Sequence, residues 1–341
     1  MTRTNRVLRG HNKAGFHSGR LHAKNILAGR VDIALSSGDG ETTVTFAKPM
    51  RSANYLVLCC PQEATTNDDL TFGVYAKSPQ SFKIYAQSTN HTSPITMAFL
   101  VLDSRASGAT AHTVSKRFGM HSGYAHFRNL QWGMTRQTLT GGAGTIQTIT
   151  LKHPMKNKPL IFASFDDDTK CTAGFVYVGT GGAQTNKSFK IDCAGVAGAT
   201  TNVDITWVAF DPGFNFGTAD QVGDKTTMIK SSAGKFGIHS GDFHAKNFVG
   251  GFVAMTTDSN GDKTEAVTYG KMLRQTPAVF VFLQSPVNDS TVVPYASSIS
   301  IAGHTVGVNN SATTSAAVYM GWMAIDAEVL VTKKPESELV A

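Results

Sequence analysis

The chain has 341 residues, 41% of them apolar and only 16% charged. That supplies core material for two or three domains and too little charge for helical bundles rich in Glu and Lys. The formal charge is +7, but Lys and Arg are scattered without a basic run, so nucleic acid is not an expected partner. No window approaches the roughly 20 apolar residues of a membrane span, and the opening MTRTNRVLRGHNKAGF lacks an apolar signal-peptide stretch. The four cysteines, Cys59, Cys60, Cys171 and Cys193, are too few for a disulfide framework. The expectation is a protein made in a reducing cytosol.

In chain order, the first distinctive segment is GFHSGRLHAKNIL at 15–27. An alternating run, TVTFAKPM (43–50), follows, then the very apolar NYLVLCC (54–60). SFKIYAQ (81–87) and AFLVLD (98–103) come next, the latter carrying Phe99 and, four residues on, Asp103. The alternating runs have the period of two, and Val, Ile, Thr, Phe and Tyr dominate all of these segments as in strands. The same series then returns twice. GMHSGYAHFRNLQ (119–131), TITLKHPM (148–155), PLIFASF (159–165), SFKID (188–192) and TWVAFD (206–211) make the second passage. GIHSGDFHAKNFV (237–249), AVTYGKML (266–273), PAVFVFL (277–283), GHTVGV (303–308) and GWMAID (321–326) make the third.

Spacing identifies copies of a whole domain rather than of a peptide. From the first motif histidine to the closing aromatic, Phe99, Trp207 or Trp322, the distances are 82, 86 and 83 residues. No segment carries a convincing helical stripe. The expected fold is all-β: three tandem antiparallel β-sandwich domains at 1–104, 105–212 and 231–330, with a linker at 213–230 and a polar tail at 331–341. They are expected to form either a compact pseudo-threefold unit or a short rod. The closing aromatics are expected in the cores, because apolar residues recur two positions away.

The order of these features resembles the H-type lectin domain: a strand ending in an aromatic, a Pro before an apolar strand, a Gly/Ser-Phe strand start and a Trp-Ile-Ala-Ile-like last strand. Phe46 with Pro49, SFKIYAQ and AFLVLD carry it in the first copy; Pro154, Pro159, SFKID and TWVAFD in the second; Pro277, GHTVGV and GWMAID in the third. The resemblance implies a small sandwich, and for that family N-acetylgalactosamine-type sugars bound between protomers of a trimer. The family's Arg position falls near Asp69, and its Trp-His pair near Thr89 and Asn90, or Val196 and Ala197, or within NNSATTSAA. None of the copies keeps that set. The ligand-loop candidates are therefore Asn90, His91, Val196 and Asn310. Modules resembling this family also occur in tailed-phage virions, as collar, baseplate, fibre or capsid decorations.

The repeat signature is His17, Ser18, Gly19, His22 and Asn25; His121, Ser122, Gly123, His126 and Asn129; and His239, Ser240, Gly241, His244 and Asn247. It holds six of the eleven histidines. A spacing of five along one strand sets the two histidines on opposite faces. Metal binding by equivalent histidines converging on a threefold axis is one reading, and Ser-His chemistry another. No acid recurs beside all three motifs to complete a triad. The favoured reading is structural: a loop whose polar side chains satisfy the backbone, with Gly supplying an unusual dihedral. Asp166-Asp167-Asp168 reads as a solvated turn, with calcium as the rival. Cys171 and Cys193 either pair or serve as small buried hydrophobes, and a Cys59–Cys60 bridge is unfavourable within a strand.

The expected function is non-enzymatic, without cofactor or metal: a structural or adhesion component of a phage-like virion. Its partners would be other virion proteins and copies of itself, with cell-surface glycans as candidate ligands, and its location the virion after synthesis in a host cytoplasm. The alternative is a multivalent carbohydrate-binding lectin gaining avidity from three sites in one chain.

Overall fold

The structure is a computed structural model that describes residues 6–8, 15–17, 20–22, 26–46, 49–50, 52–62, 70–88, 94–103, 119–121, 124–127, 129–139, 146–166, 174–178, 184–195, 201–211, 237–239, 242–244, 247–256, 263–269, 273–284, 292–310, 317–326 and 330–332. Every regular element among them is a β-strand. The first passage contains β1 (Arg6–Leu8), β2 (Gly15–His17), β3 (Arg20–His22), β4 (Ile26–Ile33), β5 (Asp39–Phe46), β6 (Tyr55–Pro61), β7 (Thr71–Tyr75), β8 (Ser81–Gln87) and β9 (Ile95–Asp103). The second contains β10 (Gly119–His121), β11 (Tyr124–His126), β12 (Leu130–Leu139), β13 (Gln147–Thr150), β14 (Leu160–Asp166), β15 (Gly174–Val178), β16 (Ser188–Gly195) and β17 (Thr201–Phe210). The third contains β18 (Gly237–His239), β19 (Asp242–His244), β20 (Phe248–Thr256), β21 (Lys263–Thr268), β22 (Pro277–Leu283), β23 (Val292–Ser297), β24 (Gly303–Asn310) and β25 (Ala317–Asp326), and β26 (Leu330–Thr332) ends the series.

One six-strand pattern occurs three times. The strand orders β4-β9-β6, β12-β17-β14 and β20-β25-β22 correspond, as do β5-β8-β7, β13-β16-β15 and β21-β24-β23. Within each triplet the pairing is antiparallel. In the first passage both triplets feed one core: Val31, Val57 and Phe99 from one sheet, Val44, Phe82 and Ile84 from the other. That is a sandwich-like, all-β packing. The alternation read from the sequence sets it up, since residues two apart share a face of the sheet.

The passages also share their turns. Phe46, Leu151 and Tyr269 donate their N–H groups to the carbonyls of Gln80, Lys187 and Ala302, each at 2.8 Å. Four residues on, Met50, Met155 and Leu273 donate to Pro79, Asn186 and Ile301. The facing turn is held by a hydroxyl: Ser78, Thr185 and Ser300 accept the N–H groups of Ser81, Ser188 and Gly303 at 3.0, 3.0 and 3.1 Å.

Phe99, Trp207 and Trp322 are wholly buried, as expected. Each pairs across the ladder with a glycine, Gly29, Gly133 or Gly251. A Cβ built on Gly29 would run into the Phe99 ring. The glycine therefore provides the space in which the aromatic lies.

Two details depart from the sequence reading. Val331 and Thr332, expected in the tail, belong to β26, which pairs with β1 at Arg6↔Thr332, Val7↔Val331 and Leu8↔Leu330. Asp166 ends a buried strand instead of sitting in a solvated turn, and it is 1% exposed. The buried strand of PLIFASF continues through it, and partners from another repeat replace water around its carboxylate. Asp167, Asp168 and the expected linker at 213–230 lie outside the described residues.

Candidate functional site: the histidine hairpins and the junctions between repeats

Each histidine motif is a small antiparallel hairpin. The registers are Gly15↔His22, Phe16↔Leu21 and His17↔Arg20; Gly119↔His126, Met120↔Ala125 and His121↔Tyr124; Gly237↔His244, Ile238↔Phe243 and His239↔Asp242. The connecting pairs Ser18-Gly19, Ser122-Gly123 and Ser240-Gly241 lie outside the described residues; two residues ending in Gly suit a tight hairpin connection. This register corrects the expectation of opposite faces. His17 stands opposite Arg20 and His22 lies two residues beyond Arg20, so positions 17 and 22 share one face of the ladder, because the chain reverses between them. The same holds for 121 with 126 and 239 with 244.

Asn129 and Asn247 act through their backbones: their carbonyls accept the N–H groups of Asp211 (2.8 Å) and Asp326 (3.0 Å). This ties the end of the second and third repeats to their beginnings. Asp211 in turn accepts the backbone and side-chain N–H groups of Asn157 at 2.8 and 3.1 Å. Asn25, Asn90, His91 and Val196 lie outside the described residues. Asn310 ends β24, opposite Val292.

The most developed geometry lies elsewhere, where β6, β14 and β22 meet. Aligned on their sequences, Gln62, Asp166 and Gln284 occupy one position, just past or at the end of each apolar strand, and Val57, Ile161 and Val279 another. Gln62 Nε2 donates to the Val279 carbonyl at 2.6 Å, and its Oε1 accepts the Val279 N–H at 3.0 Å. Gln284 treats Ile161 identically, at 2.6 and 2.9 Å. Asp166 Oδ2 accepts the Val57 N–H at 3.3 Å. The first repeat thus grips the third, the third grips the second, and the second grips the first. The ring is closed, which selects the pseudo-threefold arrangement over the rod.

A carboxamide carries a donor and an acceptor, so it satisfies both groups of one peptide unit. A carboxylate has no donor, and the Asp166 junction compensates. The Ser164 hydroxyl donates to the Val57 carbonyl at 3.4 Å and accepts the Cys59 N–H at 3.3 Å. Asp166 also takes Lys77 Nζ at 2.6 Å and the Thr206 hydroxyl at 2.7 Å. Here the sheets of two repeats fuse, through parallel pairing of Phe165↔Gly73 and Asp166↔Val74. At the positions matching Ser164, Cys60 accepts the Val281 N–H at 3.4 Å, and Phe282 packs against the core of the second repeat. Between the strands, Leu58, Phe162 and Phe280 join one shared apolar core.

The junctions offer no reactive group. Burial pushes the Cys60 thiol up to about 12 and the Cys59 thiol higher still, so neither is a thiolate near neutral pH. Cys59, Cys60 and Cys193 are in no disulfide. Cys193 is buried, with its Sγ 2.9 Å from Gln137 Oε1, and Cys171 lies outside the described residues. Burial, and secondarily the Asp166 carboxylate, also raise the Tyr55 hydroxyl.

The third repeat holds a buried polar pair that the others lack. At the position of Phe82 and Phe189 it carries His304, which is 3% exposed. The imidazole Nδ1 lies 2.9 Å from the Tyr269 hydroxyl. Its ring centroid is 5.0 Å from that of Trp322 and 5.5 Å from that of Tyr269. Burial drives His304 down to about 3. Tyr269 is raised by burial and then by Asp326.

The sequence reading missed both features. A signal was present: the apolar runs PLIFASF and PAVFVFL stop immediately before Asp166 and Gln284, and NYLVLCC stops two residues before Gln62. A polar residue recurring at one aligned position past three apolar strands marks a shared contact. Comparison with protein-family models, curated proteins and solved structures found no match for this chain.

Proposed function

We propose that this chain is a non-enzymatic structural or adhesion component of a phage-like virion, a collar, tail, fibre or capsid decoration, built from three H-type lectin-like sandwich repeats. One observation carries the reading: three six-strand units close into a ring through buried junctions at aligned positions. A body whose repeated geometry serves internal closure is a scaffold. The side chains at the centre bond to backbone and to each other, and none is presented as a nucleophile with a base and an orienting acid. The resemblance contributes the class, because the H-type lectin family is trimeric and three linked repeats give one chain the same threefold plan. On this reading the partners are other virion proteins and further copies of the chain, and the adhesive ligands are cell-surface glycans.

The test is mass spectrometry of density-gradient-purified particles from cells in which the encoding genome replicates. The chain should co-migrate with the particle proteins at a fixed copy ratio. Recovery only in the soluble fraction, with particles free of it, refutes the reading.

A further inference from the structure

We propose that the third repeat is an acid-triggered release element, in which protonation of His304 opens that repeat first and frees two of the three junctions closing the ring. The geometry is specific to one repeat. The first fills the corresponding positions with Phe46, Phe82 and Phe99, whose ring centroids lie 5.6 Å apart for each pair involving Phe82. The second uses Leu151, Phe189 and Trp207, with the two rings 5.3 Å apart. Only the third substitutes a titratable ring, and it does so inside the aromatic packing. His304 Nε2 is buried with no hydrogen-bond partner among the described residues. The cation carries N–H on both nitrogens, so Nδ1 would have to donate to the Tyr269 oxygen and Nε2 would hold an unpartnered N–H facing apolar surroundings.

The groups facing this ring offer little to stabilise the cation. Tyr269 follows β21 and contributes a neutral hydroxyl. From β21 itself, Glu265 stands opposite Val306 and Lys263 opposite Val308, two and four residues along β24 from His304. From β25, Asp326 lies four residues past Trp322, with its backbone tied to Asn247. Lys263 and Glu265 are thus at the rim; Asp326 is buried but acts on the Tyr269 hydroxyl, and burial alone governs the imidazole. A neutral imidazole is retained on folding and a charged one is rejected. With the folded group depressed below its unfolded value of 6.5, the stabilisation is complete above that pH and is lost as pH falls towards about 3. The loss reaches about 30-fold in the folding equilibrium at pH 5. At that pH ordinary Asp and Glu side chains remain mostly ionised.

Coupling to the ring follows from the junction residues. The third repeat donates Gln284 to the second and offers Val279 to Gln62 of the first. Opening it removes both contacts, while the Asp166, Ser164 and Lys77 junction between the first two repeats remains.

The experiment is peptide-resolved hydrogen exchange of the full chain at pH 7.5 and pH 5, with times corrected for the intrinsic exchange rate. Peptides from β20 to β25 should lose protection by about 30-fold at pH 5, and those from β4 to β9 by less than threefold. The double variant Tyr269→Phe/His304→Phe, which copies the first repeat, should abolish the difference. Equal loss across all three repeats, or an acid response that survives in the double variant, overturns the proposal. If the double variant does not fold, a histidine-selective NMR titration of the unaltered chain decides: an imidazole of His304 titrating near 6.5 in the folded protein overturns it, and one still neutral at pH 5 supports it.

Discussion

Replacing Gln284 by Leu tests whether the ring is held by its junctions. The carboxamide is 5% exposed, and it satisfies both the N–H and the carbonyl of Ile161 in another repeat. Leucine keeps the approximate volume and removes both bonds. Each buried main-chain group left unpaired costs about 1–3 kcal/mol. Leucine recovers part of that by burying apolar surface, so the net expected loss is about 2–4 kcal/mol. Gln62→Leu should cost a similar amount, because Val279 loses the same pair of bonds. Urea unfolding followed by far-ultraviolet circular dichroism measures the loss. Lys187→Ala, at an exposed turn residue, is the control and should stay within about 0.5 kcal/mol. A change in form is also expected: with a junction gone, the third repeat should melt ahead of the other two and broaden or split the transition. A Gln284→Leu loss no larger than the control, with one sharp transition, would refute the role given to the junctions.

Three further outcomes follow from the same geometry. Asp166→Ala leaves the Lys77 cation, the Val57 N–H and the Thr206 hydroxyl without their carboxylate; breaking such a buried pair should cost about 3–5 kcal/mol in the same urea assay. Gly250→Ala would set a Cβ 2.7 Å from Phe210 Cε1 of the second repeat and 3.0 Å from the Trp322 carbonyl; overpacking of about 1–3 kcal/mol is expected, read as a lowered melting temperature in calorimetry. Cys59 and Cys60 should resist iodoacetamide at pH 8 in the folded chain and react fully in urea, since both are buried and held as thiols. Rapid native labelling of either, seen by peptide mass spectrometry, would contradict the packing around β6.

Features governed by local periodicity were legible in the sequence. The alternating runs became β5, β13 and β21, and the closing aromatics became core residues, because a strand with one buried face must alternate. Both faces of β6, β14 and β22 are buried, which is why their runs are continuously apolar and why a second packing surface could have been inferred. The identity of that surface was not legible. Gln62 and Val279 are brought together by closure of the whole ring, and no local pattern encodes such a pairing. Asp166 misled for a related reason: three consecutive Asp residues read as a solvated turn unless Lys77, Thr206 and Val57 are known to surround the first. The histidine motif was read by its spacing alone. Spacing gives a face only when the path between the residues is known, and a reversal after His17 inverts the answer.

Joining the three repeats in one chain lets the junctions differ. A homotrimer must place the same side chain at all three, whereas here the bridging residues are Gln62, Asp166 and Gln284, and the flanking ones Cys60, Ser164 and Phe282. The differences are matched within each junction. Asp166 cannot donate, and the donor the Val57 carbonyl needs comes from Ser164. Phe282 offers no polar group, and its junction relies on the two bonds of Gln284 to Ile161. A mismatched neighbour would leave a buried peptide group unpaired, so the cyclic order is specified as well as the closure. Covalent linkage also makes closure intramolecular, at an effective concentration independent of how dilute the chain is. The third repeat is therefore free to carry a weakness such as His304 in its core without loss of assembly at neutral pH.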